Sequence, residues 1–236
     1  MVQPPHTCAM CVSEGGLTTG CGGRYVARPA AEPERWASLR PIGECMGRNH
    51  HSGMDHSGLD VSVRVAEPQE VEQVCSVLLE AARWLEGSGL AMWEPDELDP
   101  ALLAPAVHSG LFVFGLVDDE VAGTLKFQLV DPEFWPEVTG HDSAFVHRLA
   151  VRRQFAGKGV SSALLAWARD RARDLGLAYL RLDCDARRPR LRSFYETHGF
   201  RYHSEIRWRS FDVARYELNL GQAGVSVSET PPLASS

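Results

Sequence analysis

One segment constrains this chain more than any other: RRQFAGKGVSSALL at positions 152–165, where an apolar run passes into an amphipathic pattern through Gly157 and Gly159. Glycines lack a β-carbon, so backbone N–H groups can approach an anion closely. A helix beginning there directs its unpaired amides and positive dipole end at the same anion. Lys158, between the glycines, adds charge nearby. The segment is not a P-loop, which would need glycine at Arg152 and Ser or Thr at Gly159. Nor is it a dinucleotide-binding turn, whose third glycine is replaced by Ser162. The plain alternative is a turn that needs glycines for its backbone alone, and the surroundings decide between the two.

Those surroundings are patterned on both sides. VSVRV at 61–65 alternates as a strand, and Pro68 opens an amphipathic helix with Val71, Val74, Leu78, Ala81, Ala82 and Leu85 on one face, stopped by Gly87 and Gly89. A proline-punctuated stretch over 90–109 holds a short helix around 100–107. β-rich runs at 111–117 and 121–130, parted by Asp118, Asp119 and Glu120, read as a hairpin, and 131–141 as a loop. A strand over 144–151 leads into the glycine loop. The helix beyond it carries Val160, Ala163, Leu164, Trp167, Ala168 and Leu175 to Gly176. A strand at 177–182, a helix at 190–198 ending at Gly199, and strands at 202–208 and 213–220 complete the series. The order β-α-α-β-β-β-α-β-α-β-β predicts one mixed α/β sheet over residues 60–220, without an internal repeat.

Residues 1–59, rich in Gly, Pro, Ser and His, sustain no period and read as a disordered extension; residues 221–236 read as a flexible tail. A net charge of -7 argues against a nucleic-acid or anionic-membrane partner, since both need a dominant basic face. No apolar run approaches the roughly 18 residues of a bilayer crossing, and the first residues lack the pattern of a signal peptide. A soluble, cytoplasmic protein is expected, with Cys75 and Cys184 reduced and buried.

With these elements in place, Gln154-Phe155-Ala156-Gly157-Lys158-Gly159 resembles the acyl-CoA signature of the GNAT superfamily: Gln or Arg, two residues, Gly, one residue, Gly or Ala. HRLAV precedes it, as in many members. Downstream, Ser193-Phe194-Tyr195-Glu196-Thr197-His198-Gly199-Phe200 is similar to the family's tyrosine, acidic residue and Gly-Phe ending. The resemblance covers residues 61–220. It implies the GNAT acyl-CoA N-acyltransferase fold, a mixed, mostly antiparallel central sheet flanked by helices. It also implies transfer of an acetyl group from acetyl-CoA, as co-substrate, to a primary amine of a small molecule, amino acid or protein, by direct attack in a ternary complex and with no metal.

Carried over by position, the resemblance assigns the pyrophosphate to Gln154 and the backbone of Phe155, Ala156, Gly157, Lys158, Gly159, Val160 and Ser161. Pantetheine falls to the strand at Leu149, Ala150 and Val151, with Leu149 N–H toward the thioester carbonyl and Tyr195 as acid for the thiolate. A preorganised N–H at a developing oxyanion is worth on the order of 3 kcal/mol. Arg188 departs from the pattern: many relatives carry asparagine there to bond pantetheine. The contact is then lost, or remade by charge toward the 3′-phosphate, and a non-catalytic acyl-CoA-binding sensor becomes the alternative reading.

For the general base the candidates are His147, which shares strand parity with Leu149 and Val151, and Asp183, which ends a strand or caps the turn after it. Trp93 and Trp135 sit in irregular segments that overhang an acceptor pocket, or else pack in the core. Glu94, Asp96, Glu97 and Asp131 are solvated loop acids or attract a cationic amine. The oligomeric state stays open, a homodimer included. Cys8, Cys11, Cys21, Cys45, His50 and His51 raise a zinc-dependent interaction module, but their spacing is unlike a compact zinc site. Met54, just before the first strand, offers an alternative translation start.

Overall fold

The computed structural model describes residues 59–93 and 95–221. The readings made for residues 1–58, 94 and 222–236, the zinc module among them, lie outside the described residues. The elements run β1 (Val61–Val65), α1 (Val71–Gly87), α2 (Pro100–His108), β2 (Phe112–Val117), β3 (Glu120–Gln128), β4 (Ser143–Val151), α3 (Val160–Asp174), β5 (Tyr179–Asp185), α4 (Pro189–Thr197), β6 (Arg201–Trp208) and β7 (Phe211–Asn219). This is the order read from the sequence. No helix among the described residues is long and apolar enough to cross a membrane.

The seven strands form one sheet in the order β1-β2-β3-β4-β5-β7-β6, antiparallel throughout except for β4 against β5. The β2–β3 turn is tight because Asp118 and Asp119 both accept positive φ, 50° and 63°, the conformation whose twist matches a hairpin. Helices cover both faces. Val160, Leu164 and Ala168 of α3 and Tyr195 of α4 pack with Leu125, Val146, Leu180 and Leu182 on one face. Val74 and Leu78 of α1 and Leu103 of α2 pack with Phe112, Phe114 and Ala150 on the other.

Two glycines on neighbouring strands let α3 sit low on the sheet. A β-carbon at Gly123 would stand 2.8 Å from the Ala150 carbonyl oxygen and 3.0 Å from Val160 Cγ1; at Gly115 it would stand 3.2 Å from Val160 Cγ1. Gly123→Ala is therefore expected to cost about 1–3 kcal/mol through overpacking against a backbone atom that cannot yield. A urea-unfolding midpoint unchanged by the substitution would contradict this.

Candidate active site

The site begins where two strands part. β4 and β5 pair from Ser143↔Tyr179 to Val146↔Leu182 and no further. Beyond that point β4 stays on β3 as far as Gly123↔Val151, while β5 stays on β7 as far as Asp185↔Val213. A cleft of about 1440 Å³ opens between them, lined by His147, Leu149, Val151, Asp183, Arg188 and Tyr195 among others. Arg152 N–H donates to Ala122 O at 2.8 Å on the β3 side. Strand alternation then points the N–H groups of Val151 and Leu149 toward the open edge, where β5 no longer meets them.

A bulge in β4 lies at the parting. Thr124 pairs with Ala150 but Lys126 pairs with His147, so β4 carries one extra residue there, and Arg148 takes a φ of 51°. The bulge corrects the parity expected for His147. Leu149 and Val151 pack toward α3, whereas His147 stands opposite Lys126 on the face covered by α1 and α2.

At one end of the cleft the glycine loop forms an anion cradle. Gly157 and Gly159 have φ of 74° and 86°, and Gly159 is the N-cap of α3, with no side chain capping the helix. Among the described residues, the amides of Gly157, Gly159, Val160, Ser161 and Ser162 have no hydrogen-bond partner. Such a set of free donors at a helix N-terminus fits a pyrophosphate. The cradle is narrower than the sequence implied. Phe155, Ala156 and Lys158 use their amides within the loop, on the carbonyls of Arg152, Arg153 and Phe155. Gln154 turns away from the cleft and donates to Glu120 at 2.5 Å. The Lys158 ammonium lies 5.7 Å from the Phe155 ring, and the Val160 side chain is core.

Tyr195 of α4 stands across the cleft, packed near Phe194, Phe200 and Tyr216. Its hydroxyl has no hydrogen-bond partner among the described residues, and burial raises its pKa, so the phenol keeps its proton through the physiological range. Arg188 is buried rather than extended toward solvent. It donates to the Leu90 carbonyl across the cleft mouth, with Asp185 Oδ2 3.9 Å away. Trp93 lines the cleft beneath the Arg148 guanidinium, 5.9 Å from its ring centre. Trp135 does not line it. Only 1% exposed, it is a core residue held against Phe145 and His203 and under Arg181 and Arg215.

The two candidate bases converge. His147 Nδ1 lies 3.3 Å from Asp183 Oδ1, and His147 Nε2 lies 3.0 Å from Asp131 Oδ2, distances of ion pairs but off the line of well-directed hydrogen bonds. Asp183 is not at a strand end, because β5 continues to Asp185 against β7; Asp185 makes the turn, accepting from Arg187 N at 2.9 Å. Asp131, read from the sequence as a loop acid that is solvated or attracts a cationic amine, is buried and stands against His147. Its Oδ1 accepts from the amides of Glu133 and Phe134 at 3.3 and 3.2 Å, which fixes the carboxylate under the histidine. Burial pushes Asp183 up to about 6, with His147 opposing. Burial, and Lys126 after it, would lower His147, but the close contact with Asp131 and the charges of both carboxylates outweigh them and raise its pKa above 6.5. These three are also the group that could hold a metal ion among the described residues. The two histidine nitrogens face different carboxylates, however, an arrangement suited to sharing protons more than to a common ion.

A sheet parted between its two parallel strands, with free amides at a helix N-terminus on one side and an unbonded phenol on the other, is the architecture of an acyl-group transferase. The family model described as Acetyltransferase (GNAT) family matches residues 78–200, and the chain belongs to that family. It is 30% identical over 141 residues to the uncharacterized N-acetyltransferase YesJ of Bacillus subtilis (strain 168), spanning 57% of this chain and 78% of that protein. Its fold is similar to that of the PaiA N-acetyltransferase of Thermoplasma acidophilum, solved in complex with coenzyme A (TM-score 0.56, 17% identity, 68% of this chain and 99% of that one). It is also similar to an acetyltransferase of the GNAT family from Listeria monocytogenes 4b F2365 (TM-score 0.57, 23% identity, 70% and 99%). At these identities the structural likeness speaks for the fold alone.

Proposed function

We propose that residues 60–220 transfer an acetyl group from acetyl-CoA to a primary amine within a ternary complex. The observation that carries this reading is the β4–β5 parting, which turns the Leu149 and Val151 amides to an edge that β5 does not pair, between the helix α3 cradle and the Tyr195 hydroxyl. Acetyl-CoA bound there supplies the acyl thioester, whose C–S bond breaks as the amine forms the C–N bond.

The chain's residues divide the remaining work. The free amides of Gly157, Gly159, Val160 and Ser161 hold the pyrophosphate, and the backbone of Leu149 through Val151 holds the pantetheine. Leu149 N–H is the donor for a carbonyl oxygen gaining charge, a contribution that removal of one such donor puts at about 3 kcal/mol. His147 takes the proton that the attacking nitrogen loses, and Asp131 and Asp183 stabilise the imidazolium that results. Tyr195 gives its proton to the departing sulfur. Catalysis then needs both substrates in place before any bond changes.

Two consequences are measurable. Because His147 must be deprotonated to act and its pKa is raised, kcat should climb with pH through a limb above 6.5 that belongs to the coupled group. His147→Gln should lower kcat by about 100-fold and abolish the limb. Asp183→Asn should move the limb to lower pH, since the Asp183 charge helps raise His147. An unaltered pH profile in His147→Gln would remove this residue from proton transfer.

A further inference from the structure

The parted strands hold more charge than acetyl transfer needs. On the α1/α2 face, away from the α3 cradle, two cations line the cleft side by side: Lys126 of β3 and Arg148 of β4. Among the described residues neither lies within ion-pair distance of a carboxylate, and the only partner Arg148 has is the Trp93 ring. Arg148 Nη1 is buried without a hydrogen bond. Both side chains have their pKa lowered, first by burial and, for Lys126, next by Arg148 itself; Glu133 beside both, Asp131 near Lys126 and Glu97 near Arg148 oppose the shift from beyond ion-pair distance without cancelling it.

Their position is set by the bulge. A regular strand sends consecutive side chains to opposite faces, but with Arg148 at a φ of 51° the chain puts His147 against Asp131 and sends Arg148 to Trp93, on the same side of the sheet. A left-handed conformation at a residue with a long side chain is strained and persists where surrounding structure imposes it. Lys126 is the direct cross-strand partner of His147, and side chains so paired have Cβ atoms about 5 Å apart. The cleft floor is thus divided: a proton-accepting wall of Asp131, His147 and Asp183 adjoins, through the Lys126–His147 pair, a cationic wall of Lys126 and Arg148. A simple alkylamine complements the first wall and leaves the second desolvated and unpaired.

We infer that the acceptor is a primary amine that also carries a carboxylate, an amino acid in chemical class, with its carboxylate on Lys126 and Arg148 and its amine on His147. This rests on the acetyl-transfer reading above. It disfavours amines whose neighbouring carboxyl is an amide, such as protein N-termini.

The test uses the full-length protein and sets of three matched acceptors: an L-amino acid, its carboxamide, and the amine left by decarboxylation. With acetyl-CoA, the amino acid should exceed both others in kcat/KM by roughly 10- to 100-fold, the range expected of one or two charge-assisted hydrogen bonds. Lys126→Met and Arg148→Met, made separately, should each bring that ratio down toward one. Glutamate 1-amide against glutamate tells an α-carboxylate from a side-chain carboxylate. An unmodified protein that acetylates the carboxamide or the amine as well as the amino acid overturns the inference, and so do two variants that keep the wild-type ratio. Binding of the same acceptors to the protein, with and without CoA, is measured by calorimetry. Selective amino-acid binding lost in Lys126→Met, with no acetyl transfer, supports the carboxylate site while removing the enzymatic reading. Transfer to amines with no preference for carboxylate does the reverse.

Discussion

Tyr195→Phe is expected to lower kcat by about 100-fold while leaving acetyl-CoA binding nearly intact. The substitution removes only the hydroxyl, which has no partner among the described residues, and keeps the ring contacts with Phe194, Phe200 and Tyr216. The folded core should therefore tolerate it. Loss of the raised-pKa phenol deprives the departing sulfur of its proton and affects the chemical step alone. Pre-steady-state thiol release with calorimetric binding on the same preparation separates the two. An unchanged rate would leave Tyr195 as a packing residue.

The second large effect is at Gly157. Gly157→Glu should weaken acetyl-CoA binding by at least about 100-fold, from backbone strain and from a carboxylate among amides that bind an anion. Nothing lies within 4 Å of a β-carbon at this position, so a clash within the protein is not the cause; the φ of 74° and the new charge are. Gly157→Asn supplies the control, because asparagine tolerates the left-handed region and brings no charge. It should retain most of the affinity. Equal losses in the two variants would mean that shape, not charge, governs the cradle.

Much of this site was legible in the sequence because it rests on local chemistry. Gly157 and Gly159 announce a positive φ and a helix start whatever surrounds them, and both show it. The strand and helix order followed from periodicity, and the tyrosine helix from its motif. What was not legible depends on partners far along the chain. The bulge at Arg148 is a matter of register with Lys126, more than twenty residues earlier, and nothing in HRLAV reveals it. For that reason the parity read for His147 does not hold, and the pairing of Lys126 with Arg148 is invisible in the sequence. Asp131 lies in a loop whose Asp-Pro start signals a turn, yet its contact with His147 comes only from the fold. Trp135 sits in an irregular segment that suggested an open pocket, but Arg215 draws that segment in by bonding Phe134 O and Glu137, which buries the indole. Arg188 lies where the motif placed it, yet its bond to Leu90 joins residues ninety-eight apart.

The most direct measurement is calorimetric titration of the full-length protein with acetyl-CoA, followed on the same sample by free-thiol release with a set of primary amines. Saturable binding followed by amine-dependent thiol release is the expected result. A folded protein that neither binds acetyl-CoA nor releases thiol with any amine would contradict the assignment of the β4–β5 cleft as an acetyl-transfer site.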